Sequence, residues 1–232
     1  MKGNFTRRLR KKWLVLQYDN RKITPDYKKL MKENKDYAKI HGYDYRFVSK
    51  GYMKLPTYWR KVNLVKDLLK GYKGILWIDT DAVVFNNSMT LESIMAPYLS
   101  KMFFKSSDNY KVPASQFNGG VWIIKNTPEM NTLMDQWLQL YDPTEWLKNY
   151  GGNWHTTGEW SLNTYEQGAF REKIEPLYKK YIPRLPCTVL QGCLEDINTD
   201  NEPFIIHFMD SLKSYIPGFV KTFIDCPNKP KK

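Results

Sequence analysis

Cysteine is scarce in this chain of 232 residues: Cys187, Cys193 and Cys226 form no CxxC pair and leave an odd one over. That excludes a disulfide scaffold and a cysteine-built zinc site, and it points to a reducing compartment. Long apolar runs are also missing. The stretch at residues 13–16, behind the basic residues 7–12, is too short for a signal peptide core or a membrane span. The expectation is a soluble, cytoplasmic chain whose basic arm, about residues 1–12, could touch a membrane surface. Repeats, low-complexity linkers and domain boundaries are lacking too, which predicts one domain over 1–232 with a disordered basic tail at about 228–232. Negative charge is in short supply: 24 acidic residues face 36 basic ones, a formal charge of +12. An anionic partner follows, be it a nucleotide diphosphate, a nucleic acid, an anionic glycan or a lipid headgroup. Two sequons, at Asn4 and Asn86, read as chance matches.

The chain is organised around residues 73–86. Ile75, Leu76, Trp77 and Ile78 form an apolar run suited to a strand buried on both faces, and it ends in two carboxylates, Asp79 and Asp81. In extended chain, residues i and i+2 project to one side, so both carboxylates can face one point. Two ionised aspartates at the edge of a core repel and need a countercharge, and a hard divalent cation is a natural one. The plainer reading is a strand end with an Asx turn. Apolar sequence on both sides of the pair favours the cation.

The surrounding order supports a site there. Residues 13–18 read as a first strand. Thr24-Pro25-Asp26 opens a helix with an apolar stripe at Tyr27, Leu30, Met31, Tyr37 and Ala38, ended by Gly42. A strand at 45–48 and a helix at 58–70 follow. This β-α-β-α-β order predicts an α/β fold, a doubly wound sheet whose ligands bind beyond the carboxyl ends of the strands. Tyr18 and Asp19 would lie there beside the aspartate pair.

Further along, residues 91–99 read as a helix and 102–104 as a strand. Asn118-Gly119-Gly120 reads as a tight turn entering an apolar strand, or as a place where backbone approaches a ligand closely. Thr127-Pro128 opens another helix. Residues 151–158 suggest a mobile loop, with His155 a surface histidine. Residues 163–166 fit a capping box that would occupy Glu166. Residues 203–208 read as a buried strand ending at His207, either a packed core histidine or the third ligand of the aspartate pair.

Taken together, residues 37–44, 59–62, 77–82, 118–121, 166–167 and 206–208 resemble, in order, the GT-A glycosyltransferases of the galactosyl/mannosyl/xylosyl-transferase family. The resemblance implies a GT-A type fold with a mostly parallel sheet, a nucleotide-sugar donor (a UDP-sugar over GDP-mannose), a glycan or glycoprotein acceptor and retention of anomeric configuration. It implies Mn²⁺, replaceable by Mg²⁺, on Asp79, Asp81 and His207. It also implies donor contacts from Lys61, Asn118, Gly119 and Lys213, and places Glu166 and Gln167 at the reacting carbon. The chain departs from the family's pattern twice: Glu166 stands where an aspartate is usual, and Asp210 where a glycine is usual. Nucleic acid is not an expected partner. Two other classes remain as alternatives, a metal-dependent nucleic-acid hydrolase and an inert nucleotide- or carbohydrate-binding module on the same fold.

Overall fold

The computed structural model describes residues 11–49, 55–107, 117–150, 152–192, 194–197 and 202–226. The basic arm up to residue 10, Asn4, Cys193 and the tail at 228–232 lie outside them.

The centre is a six-stranded sheet. Its first strands and helices alternate as the sequence predicts: β1 (Trp13–Tyr18), α1 (Pro25–Ile40), β2 (Asp44–Val48), α2 (Thr57–Leu69) and β3 (Gly74–Ile78). Then come β4 (Ala82–Val84), α3 (Leu91–Met95), β5 (Phe103–Ser107), β6 (Phe117–Lys125) and α4 (Pro128–Gln139). The rest is built of shorter pieces: β7 (Leu147–Lys148), β8 (Trp154–His155), α5 (Glu166–Ala169), α6 (Glu175–Tyr178), β9 (Arg184–Leu185), α7 (Cys187–Leu190), β10 (Ile205–His207) and α8 (Ile216–Phe219). Strand order in the large sheet is β2-β1-β3-β6-β5-β9. Five of these strands run one way and β6 alone runs against them.

The sheet is covered on both faces because its strands are apolar on both. Leu14, Leu16, Ile75, Trp77, Trp122 and Ile124 pack under α2 and α4. Trp13, Val15, Leu76, Ile78, Val121 and Ile123 pack under α1, α3 and α7. The sheet is thus doubly wound and mostly parallel. Threonine caps start two of its three long helices, Thr24 accepting from the Tyr27 N–H and Thr127 from that of Met130. Gly42, at φ +68°, leaves α1 through the left-handed region.

Outside the large sheet, β4 pairs with β10 in an antiparallel ribbon that sets Ala82 opposite His207. Asn34, fully buried on α1, secures that ribbon. Its amide donates to the Ala82 carbonyl at 3.0 Å and accepts from the Val84 N–H at 2.8 Å. Among the described residues no helix is long and apolar enough to cross a membrane.

Three local expectations are corrected. Asn118, Gly119 and Gly120 lie inside β6 rather than in a turn before it, and neither glycine has a positive φ. The 91–99 helix stops at Met95, and the strand expected at 102–104 runs Phe103–Ser107. The capping box at 163–166 does not form: α5 begins at Glu166 with Tyr165 as its N-cap, so Glu166 is the first helical residue rather than the third, and its carboxylate is engaged by Lys61.

Candidate functional site

At the carboxyl ends of β1 and β3 lies a cleft of about 990 Å³. β3 ends at Ile78, and residues 79–81 form a turn closed by the Ala82 N–H donating to the Asp79 carbonyl at 3.1 Å. The extended geometry expected for the pair is therefore replaced by a turn, yet both carboxylates still converge. Asp79, Asp81 and His207 each bring one ligand atom within 4.8 Å of the others. His207 arrives through the β4–β10 pairing, reinforced by the Phe208 N–H donating to the Asp81 carbonyl at 2.9 Å. Its Nε2 stands 3.4 Å from Asp81 Oδ1.

Glycine at position 120 makes this possible. A Cβ there would fall 2.1 Å from His207 Cε1, so the imidazole lies against bare β6 backbone. At both glycines the backbone is closely approached by side chains, His207 at Gly120 and Glu166 at Gly119. Behind the imidazole, the buried Gln191 amide nitrogen sits 3.4 Å from Nδ1; with the amide turned about, its oxygen would accept from Nδ1–H and leave the Nε2 lone pair for the cluster.

The charges of the cluster are unequal. Burial alone would raise Asp81, but hydrogen bonding and charge from His207 and Lys213 hold its carboxyl well below the usual range. Asp79 is raised by burial and by the Asp81 charge, against the pull of Lys61. The Trp77 indole donates to Asp79 Oδ1 at 2.9 Å. Lys213 Nζ lies 3.1 Å from Asp81 Oδ2. Two hard oxygens and one imidazole nitrogen suit Mn²⁺.

A second group lies one layer deeper. Lys61 on α2 is buried, 3.1 Å from Glu166 Oε1, 3.7 Å from Asp79 Oδ1 and 3.0 Å from the Gly119 carbonyl. Burial would lower its ammonium, but Asp79 and Glu166 hold it well above the ordinary lysine value. Glu166 is 1% exposed, and its Oε2 has no hydrogen-bond partner among the described residues. A buried, unpartnered carboxylate oxygen lining a cleft fits a ligand hydroxyl. Gln167 is spoken for on both sides: its Oε1 accepts from the Gly119 N–H at 3.2 Å and its Nε2 donates to Ser161 Oγ. It ties β6 to the loop before α5, and Ser161 holds φ +66° there.

Tyr18, Asp19, Lys61, Asp79, Asp81, Asn118, Glu166, Gln167, His207 and Lys213 all line the cleft, and Gly119 is buried beneath it. His155 is exposed on β8, as its surface reading expects. The 151–158 segment contributes Gly152, Asn153 and Trp154 to the rim, while Gly151 lies outside the described residues. Asp210 has φ +46°, a conformation glycine adopts without strain and aspartate tolerates, which accounts for the glycine usual at that place. Sequence reasoning missed Gln17, Arg21, Asn34, Thr80 and Gln191. Two of them carried a signal: Gln17 is a polar residue within an apolar strand, and Asn34 sits four residues after Leu30 on the buried stripe of α1.

A doubly wound sheet with this cluster at its strand ends resembles the fold of the GT-A glycosyltransferases. A glycosyltransferase involved in glycosylating the major capsid of PBCV-1 superposes with a TM-score of 0.66 at 14% identity, covering 89% of this chain and 98% of that one. Residues 14–115 match the galactosyl transferase GMA12/MNN10 family. Two Schizosaccharomyces pombe proteins are also similar. One, named as a probable alpha-1,2-galactosyltransferase, gmh1, is 25% identical across 43% of this chain and 40% of its own length. The other, an uncharacterized alpha-1,2-galactosyltransferase, is 21% identical across 50% of this chain and 40% of its own length. The chain thus spans well under half of either yeast relative. It resembles the GT-A glycosyltransferases in fold and, over its first half, that galactosyltransferase family in sequence.

Proposed function

We propose that the chain is a single catalytic domain that transfers a hexose or pentose from a nucleotide-sugar, a UDP-sugar before GDP-mannose, to a hydroxyl of a glycan or glycoprotein, with retention. The observation that carries this reading is the meeting of Asp79, Asp81 and His207 at 4.8 Å or less, at the mouth of the cleft. These residues would hold Mn²⁺, with Mg²⁺ as a substitute, and the bound ion would supply positive charge for the departing nucleotide diphosphate. The cleft's own charges agree. Asp19, Asp79, Asp81, Glu166 and Asp210 outnumber Arg21, Lys61 and Lys213, so an anionic donor needs a cation to enter.

Each side chain then has a task. Lys61 stays protonated between Asp79 and Glu166 and fixes the Glu166 carboxylate. Glu166 Oε2 accepts a hydroxyl of the donor sugar and faces the positive charge that develops at the anomeric carbon. Asn118 lines the sugar pocket, and Gly119 backs it, its carbonyl bonded by Lys61 and its N–H donating to Gln167. Lys213 draws the leaving diphosphate. Gln167, both of whose amide ends are already bonded, positions β6 rather than touching the reacting carbon. Retention follows if the acceptor hydroxyl attacks from the face the diphosphate leaves, giving its proton to the departing phosphate oxygen.

The test is release of free UDP or GDP from a panel of nucleotide-sugars, with Mn²⁺ and with EDTA. Metal-dependent release from one UDP-sugar is the expected result. Stabilisation and turnover by nucleic acid instead would favour the hydrolase, and nucleotide binding without release the inert module. Inverted product from Glu166→Gln, or a trapped glycosyl adduct on it, would overturn the same-face route.

A further inference from the structure

We propose that Arg21, in the loop after β1, is a phosphate-binding residue of the cleft, and that Asp19 is its positioning residue rather than a contact to the nucleotide. This rests on the nucleotide-sugar reading above and adds to it a cation that neither the composition nor the family resemblance supplied.

The hydrogen-bond inventory of Asp19 carries the argument. Its side chain is buried, and Oδ1 accepts from the Arg21 backbone N–H at 2.9 Å and from Arg21 Nε at 2.9 Å. Oδ2 accepts from Arg21 Nη2 at 2.7 Å and from Thr80 Oγ1 at 2.6 Å. An ionised carboxylate offers about four acceptor sites, and here all are taken. Asp19 has no capacity left to read a base or a ribose hydroxyl.

Arg21 is in the opposite condition. Two of its five guanidinium donors are used in a two-pronged grip on Asp19, and Nη1 has no partner among the described residues. The side chain is 62% exposed, at the wall of the cleft. A guanidinium held flat by one carboxylate, with its other edge free, suits a second oxyanion. The other two cations of the cleft are engaged, Lys61 by Asp79 and Glu166 and Lys213 by Asp81. Thr80 links the pair to the metal turn, since it stands between Asp79 and Asp81 and bonds the oxygen that Arg21 Nη2 also bonds. The free edge of Arg21 is therefore tied to the place where the diphosphate would sit. An ordinary surface ion pair requires neither the burial of one partner nor this link.

The experiment measures UDP by calorimetry and uridine by ligand-observed NMR, with Mn²⁺, on the wild-type chain and on Arg21→Ala, Arg21→Lys and Asp19→Asn. GDP and guanosine are run alongside. Arg21→Ala should weaken the diphosphate about tenfold or more and change the nucleoside less than twofold, in a chain that stays folded at a Tm lowered by the loss of Asp19's partner. Arg21→Lys should recover only part of the loss, because an ammonium is a point charge without the fork. Asp19→Asn should repeat the phosphate-selective loss although Arg21 is present. Equal losses for UDP and uridine would mean the pair reads the nucleoside, and no loss in either Arg21 variant would leave it a structural ion pair; both overturn the proposal. If Asp19→Asn fails to fold, the exposed Arg21 variants decide alone. Wild-type protein that binds no nucleoside diphosphate would overturn the functional reading as well, whereas tight wild-type binding unaffected by Arg21→Ala sinks only the present inference.

Discussion

Residues 13–139 and residues 143–226 are built on different principles. The first stretch holds five of the six strands of the main sheet and all four long or capped helices, and supplies most of the side chains of the two apolar layers. The second consists of strands of two or three residues and of short α, 3₁₀ and π turns. Yet it supplies Glu166, Gln167, His207 and Lys213 to the cleft, and Gln191 behind His207. The scaffold half contributes the aspartate turn and Lys61, and the irregular half completes the site. A regular scaffold fixes a turn to within a hydrogen bond, whereas short segments are free to bring a few polar groups to one place.

The sharpest way to break this division of labour is at the metal cluster. Asp81→Asn on the scaffold side and His207→Ala on the irregular side should each lower sugar-transfer rate on the order of 10²-fold or more. Steady-state release of UDP measures this, and a large effect from one side only would show that the other merely packs. Gln191→Leu tests the irregular half alone. It removes the group that meets Nδ1 of His207, and Mn²⁺ affinity should fall about 10–100-fold in a calorimetric titration while the apo protein keeps its Tm.

The scaffold side is sharpened by Asn34→Ala. It strands the Ala82 carbonyl and the Val84 N–H in a buried ribbon, and should cost about 2–4 kcal/mol in denaturant unfolding, for two unmet backbone groups at roughly 1–3 kcal/mol each with partial relaxation. The smallest effect concerns acid. Glu92 accepts from the Trp13 indole at 2.8 Å, Lys73 at 2.9 Å and the Tyr43 hydroxyl at 2.5 Å. Burial would raise its carboxyl, but bonds from Tyr43 and Lys73 hold it down at about 2, against an ordinary 4.5. Its contribution is fully present above pH 4.5 and is lost as the pH falls towards 2. Glu92→Gln should flatten that part of the stability profile, read by thermal melts across the window, lowering stability near neutrality and leaving it unchanged near pH 2.

The sequence alone determined the sheet's first five elements, because the buried strands β1 and β3, the apolar stripes of α1 and α2 and the threonine-proline start of α1 leave local signatures. It also marked Asp79 and Asp81, whose charge is conspicuous between two apolar runs, and, with the family resemblance, His207. What only the tertiary structure decided was partnership. Gly120 is a glycine because an imidazole from a distant strand lies on it, Lys61 is a buried cation because it stands between carboxylates from two other segments, Gln167 is bonded to Gly119 and Ser161, and the Asp19 carboxylate is filled by Arg21 and Thr80. Such facts depend on pairs far apart in the chain. Local pattern records how a segment folds, and a hydrogen bond between remote segments leaves no trace in either one.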